Sequence, residues 1–115
     1  MTPTTLAAAT HNVGSLERIP LGEGRSYRVG AEEIAVFRPR EGGLFACQAA
    51  CTHRGGPLAD GLIGSGKVVC PLHGNAFELA TGAPIRHSCA ALRTYPVEAT
   101  AAGELVITVP TREEA

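Results

Sequence analysis

Short runs of alternating apolar and polar residues recur along the chain, separated by turn signals. Ser26-Tyr27-Arg28-Val29 alternates, and Glu33-Ile34-Ala35-Val36-Phe37 follows as its natural partner. Gly30-Ala31 between them fits a two-residue hairpin turn, with glycine supplying positive φ. Leu44-Phe45-Ala46-Cys47 reads as a further strand after the loop Arg40-Glu41-Gly42-Gly43. Val68-Val69 is a brief apolar pair, and Asn75-Ala76-Phe77-Glu78-Leu79 alternates up to the turn at Thr81-Gly82. Thr94-Tyr95-Pro96-Val97-Glu98 and Leu105-Val106-Ile107-Thr108-Val109 read as an antiparallel pair turning near Gly103. No window of about 11 residues sustains a 3.6-residue apolar period. At most one helical turn is expected, near Ser15 to Arg18. The pattern predicts an all-β domain.

Composition supports a globular chain and narrows its partners. Hydrophobic residues make up 44% and charged residues 18%, too apolar for a disordered segment. Ten basic against eleven acidic residues argue against nucleic-acid binding. No apolar run approaches the roughly 20 residues of a membrane span. Met1 to Thr10 contain no basic or twin-arginine leader, so a cytoplasmic protein is expected. The length of 115 residues fits one domain, expected over residues 10–110. Residues 1–9 and the tail 111–115 are expected to be loose.

Residues 50–75 depart from the alternating pattern and carry the chemistry. Cys51-Thr52-His53-Arg54-Gly55-Gly56-Pro57-Leu58 and Cys70-Pro71-Leu72-His73-Gly74 are loops by composition. They give Cys51-x-His53 and, after sixteen intervening residues, Cys70-x-x-His73. Four cysteines in a cytoplasmic chain suggest metal or redox chemistry before disulfides. A structural zinc site usually pairs its cysteines in one knuckle and its histidines on a helix. Here each knuckle mixes one thiol and one imidazole. That mixture suits a binuclear iron–sulfur cluster, with thiolates favouring a ferric site and neutral imidazoles a ferrous one. A zinc site remains the competing assignment.

On these two loops the sequence resembles the Rieske family of [2Fe–2S] proteins, over about residues 11–110. The resemblance implies stacked antiparallel sheets with a small loop-rich cluster-binding subdomain, about residues 49–84. It implies that Cys51 and Cys70 hold an inner iron, and that His53 and His73 hold an outer, more exposed one. The respiratory branch of the family carries a disulfide between its two loops; the matching positions here are Gly56 and Leu72, so no such bridge can form. A serine that donates to a bridging sulfide in that branch is replaced by Asn75. Fewer hydrogen bonds to sulfur predict a potential in the lower part of the Rieske range.

The resemblance implies a redox role without a catalytic site of its own. Glu32 to Arg38, His53 to Leu58, Lys67 to His73 and Cys89-x-x-Leu92-Arg93-Thr94-Tyr95-Pro96-Val97 look like the small subunit of an assimilatory NAD(P)H nitrite reductase. That reading implies a large catalytic reductase subunit as partner, in nitrate assimilation. The alternative is a free-standing Rieske ferredoxin serving an aromatic-ring dioxygenase or other oxygenase. A non-redox interaction subunit is the third reading. The remaining thiols, Cys47 and Cys89, are expected to be small buried hydrophobes, and Phe77 to be core. His11 and His87 are expected to be ordinary surface residues. Arg54 and Arg86 are expected to be solvated, the alternative being a docking surface for an acidic partner.

Overall fold

The computed structural model describes residues 7–52, 55–72 and 74–111. Among them, eleven short strands form three antiparallel sheets. The first joins β1 (Ala7–Ser15), β11 (Glu104–Thr111) and β10 (Val97–Ala99) in the order β1-β11-β10. The second runs β2 (Glu23–Val29), β3 (Glu32–Arg38), β4 (Phe45–Gln48) and β9 (Thr94–Tyr95). The third runs β5 (Leu62–Gly64), β6 (Lys67–Val69), β7 (Ala76–Glu78) and β8 (Pro84–Ile85).

The second sheet is the middle layer, and β3 shows why. Successive strand residues point to opposite faces, yet Ile34, Ala35, Val36 and Phe37 are all buried. Ile34 and Val36 pack into one core with Ile19, Leu105 and Ile107 of the first sheet's side. Ala35 and Phe37 pack into another with Leu58, Val68, Phe77, Cys51 and Cys70. A strand covered on both faces reads as a continuous apolar run. β11 is covered on one face only: Leu105, Ile107 and Val109 are buried at every second position. The middle sheet therefore supplies the floor on which the two cysteine-bearing loops rest.

The hairpin at Gly30-Ala31 forms as the sequence predicts, with Val29 opposite Glu32 and Gly30 at φ +62°. The helical turn spans Leu16–Arg18, capped by the Ser15 hydroxyl accepting from the Glu17 amide. Two expectations change. The run Thr94 to Glu98 is two strands: β9 pairs with β4, and β10 pairs with β11. Pro96 divides them because it has no N–H for a ladder; its carbonyl accepts from Thr108 N at 2.9 Å. Residues 7–9, expected to be loose, are paired in a sheet: β1 begins at Ala7 and pairs with β11. Likewise Thr111, expected in the tail, ends β11. Residues 1–6 and 112–115 lie outside the described residues. Among the described residues, no helix is long and apolar enough to cross a membrane.

Candidate metal centre

The two cysteine loops are built on the same turn. In the first, Ala50 bridges Pro57, Cys51 N–H donates to Gly56 O at 2.8 Å, and Gly55 N–H returns to Cys51 O at 2.8 Å. In the second, which links β6 to β7, Cys70 N–H donates to Asn75 O at 2.8 Å and Gly74 N–H returns to Cys70 O at 3.0 Å. The residue four beyond each cysteine is a glycine in the left-handed region, Gly55 at φ +73° and Gly74 at φ +75°. A side chain is strained there, so glycine lets each loop close beneath its cysteine. The first loop is further tied down by the Thr52 hydroxyl, which donates to Ala90 O at 2.6 Å.

The loops meet at Gly56. A Cβ on Gly56 would lie 2.5 Å from Cys70 Sγ and 3.1 Å from Leu72 Cγ and Cδ1. Bare backbone of the first loop thus packs against the thiol of the second. Gly56 and Leu72, where a disulfide was ruled out by residue type, are in fact neighbours. Their loops approach through packing rather than a covalent bridge.

Cys51 and Cys70 are both buried, 4% and 3% exposed, in the core formed by Leu58, Val68 and Phe77. The structure thus brings together two of the four expected ligands. His53 and His73, with Arg54, lie outside the described residues. Among the described residues no group of three or more His, Cys, Asp or Glu is placed to hold a metal. The part that is described fits an iron–sulfur group. Two thiols reach one apolar floor from two equivalent turns, and soft sulfur donors are what such clusters require.

The other thiols differ. Cys47, on β4, is 2% exposed and packs in the same core. Burial pushes its thiol up to about 12, so it stays protonated and inert at neutral pH. Phe77 is fully buried, as expected. Cys89 is only partly buried and accepts a hydrogen bond from Asn75 Nδ2 at 3.5 Å. His87, read from sequence as an ordinary surface residue, is not one. Its Nε2 lies 2.9 Å from Ala76 O, its Nδ1 accepts from Cys89 N–H at 3.2 Å, and its ring packs edge-on to Phe77. Only the close spacing of His87 and Cys89 hinted at this in the sequence. Arg86 is exposed, with backbone φ +64°.

Comparison with known proteins settles the family. The Rieske [2Fe-2S] domain profile matches residues 9–96. The chain belongs to the Rieske family. Its all-β fold is the Rieske fold, and the domain binds a [2Fe–2S] cluster. It is 36% identical over 101 residues to the anthranilate 1,2-dioxygenase ferredoxin subunit of Burkholderia cepacia, covering 84% of this chain and 89% of that one. It is 33% identical over 87 residues to the ferredoxin component of the naphthalene 1,2-dioxygenase/salicylate 5-hydroxylase systems of a Ralstonia species, covering 72% of this chain and 80% of that one. Among solved structures, a proposed NADH-dependent nitrite reductase small subunit from Mycobacterium tuberculosis superposes with TM-score 0.82 at 18% identity, covering 90% and 96% of the two chains. At that identity the likeness is one of fold. The Sphingomonas yanoikuyae B1 ferredoxin superposes with TM-score 0.77 at 29% identity, covering 89% of this Rieske chain and 100% of that one. This Rieske chain is thus an electron-transfer domain.

Proposed function

We propose that the chain is the ferredoxin component of an oxygenase system, passing single electrons from a reductase to a terminal oxygenase. The observation that carries this is the 36% identity, across most of both chains, with a dioxygenase ferredoxin subunit. The ligand set is Cys51 and Cys70 on the inner iron and His53 and His73 on the outer one. Bound there, the cluster supplies a one-electron carrier of the Rieske type. The protein's share of the work is positioning and insulation. The Cys51 and Cys70 thiolates anchor to the buried side, against Leu58 and Phe77, where water is excluded. Gly55 and Gly74 let the two loops close, and Gly56 leaves room for the Cys70 thiol. A partner would exchange the electron through the two histidine ligands. No residue acts as acid, base or nucleophile. A cytoplasmic location accords with this role.

A second reading keeps the small subunit of an NAD(P)H nitrite reductase, docking on a large catalytic subunit. The segments quoted above favour it, and the fold, shared at TM-score 0.82 with a proposed nitrite reductase small subunit, is compatible with it. We place it second because that likeness runs at 18% identity. Stopped-flow reoxidation of the reduced protein distinguishes the readings. Rapid oxidation by a Rieske-type terminal oxygenase is expected. Oxidation by a sirohaem nitrite reductase large subunit alone reverses the order. Binding to either without electron transfer would leave the non-redox interaction subunit.

A further inference from the structure

Four hydrogen bonds run in series from Cys70 to the segment after β8. Cys70 N–H donates to Asn75 O at 2.8 Å. Asn75 Nδ2 donates to Cys89 Sγ at 3.5 Å. Cys89 N–H donates to His87 Nδ1 at 3.2 Å. His87 Nε2 lies 2.9 Å from Ala76 O. The third bond fixes the chemistry of the fourth. A backbone amide only donates, so Nδ1 is the bare nitrogen, the proton sits on Nε2, and Nε2 donates to the Ala76 carbonyl. Both ring nitrogens of a neutral His87 are therefore committed.

Two further observations show that the arrangement is held tightly. The His87 ring stands edge-on to Phe77, centroids 4.9 Å apart at 82°, and Phe77 is fully buried. Arg86, just before it, adopts φ +64° although it carries a side chain. Such a conformation persists only where the surroundings over-determine it. The network offers that determination: it holds residues 87–89 against Asn75 and Ala76, the exit of the second loop.

We propose that His87 and Cys89 are positioning residues for the second cluster loop. They clamp Asn75 and Ala76, and through the Asn75 carbonyl they set the backbone of Cys70. Asn75 thus directs its amide to Cys89 rather than to the cluster. The proposal rests on the assignment of Cys70 as a ligand. Groups that orient metal ligands are worth about 10- to 100-fold in metal affinity.

The test uses the full, cluster-loaded chain. Iron release to an anaerobic chelator is timed, the electron paramagnetic resonance spectrum of the reduced protein is recorded, and amide exchange is followed across residues 70–79. His87→Ala is expected to speed release by on the order of 10-fold, to shift the g-values and to raise exchange. His87→Gln, which can still donate to Ala76 O, should recover much of the retention. Cys89→Ala, losing the Asn75 bond alone, should have a smaller effect of the same kind, and Cys89→Ser should soften it. If His87→Ala does not fold, Cys89→Ala and His87→Gln decide the matter. Wild-type release, g-values and exchange in both Cys89→Ala and His87→Ala would overturn the clamp. If the wild-type chain binds no iron, the ligand assignment fails instead. Exchange at residues 70–79 in the metal-free variants then still tests the clamp on its own.

Discussion

Gly61→Ala should damage the protein far more than Gly64→Ala, three residues away in the same hairpin. Gly61 follows the helical turn Leu58–Asp60 and faces the end of β6, the strand that delivers Cys70. A Cβ on Gly61 would lie 3.1 Å from the Val69 carbonyl carbon, closer still to its oxygen, and 3.2 Å from Leu58 O. These obstacles are backbone and cannot rotate away. Gly61 itself is at φ −80°, so the cost is steric and not conformational. Relief requires β5 and β6 to separate where Leu62 pairs with Val69, next to Cys70. Overpacking typically costs about 1–3 kcal/mol, and backbone overlap belongs at the upper end. At roughly 5 °C per kcal/mol for a domain of this size, about 3 kcal/mol lowers Tm by about 15 °C. Gly64 has nothing within 4 Å of its Cβ position, so Gly64→Ala should leave Tm within about 2 °C. Thermal unfolding and iron content of both variants provide the assay. Equal melting temperatures and equal iron content for the two would refute the close approach of Gly61 to Val69.

Other expectations follow from the same geometry. Cys47 has a thiol raised to about 12 by burial, against 9.0 when solvated. Between those values the unfolded chain releases the proton and the folded chain keeps it, so stability should fall with rising pH by up to about 1.4 kcal/mol per unit. Urea unfolding at pH 8 and pH 10.5 checks this, and Cys47→Ala should lose that part of the slope; an unchanged slope in the variant would contradict the assignment. Cys51→Ser and Cys70→Ser should each give colourless protein, read by absorbance and iron analysis, whereas Cys47→Ala should stay coloured. With the Asn75 amide directed at Cys89 Sγ, the midpoint potential should lie in the lower part of the roughly −150 to +300 mV Rieske range. Protein-film voltammetry measures it, and a value near the top of that range would count against the account.

What was legible in the sequence depended on how local the cause was. β3 and β11 could be read because their burial follows strand periodicity: continuous apolar residues under two layers, alternating ones under one. The cysteine loops were legible because cysteine and histidine spacing and glycine placement are themselves local. β1 was missed because Ala7, Ala8 and Ala9 carry little β-forming signal, and the register shifts between Asn12 and Gly14. Its pairing with β11 supplies what propensity does not. Pro96 ends one ladder and begins another, which only the assembled sheets reveal. The hydrogen bonds of His87 and Cys89 were missed for a similar reason. Their partners, Ala76 and Asn75, lie across a turn, and no pattern along the chain announces that contact.

Iron and acid-labile sulfide analysis of anaerobically purified protein, with electron paramagnetic resonance of the reduced form, tests the central claim most directly. The account predicts two irons and two sulfides per chain, with a reduced-state spectrum characteristic of mixed thiolate and imidazole ligation. Zinc without sulfide, or an iron–sulfur signal that survives in Cys70→Ser, would contradict it.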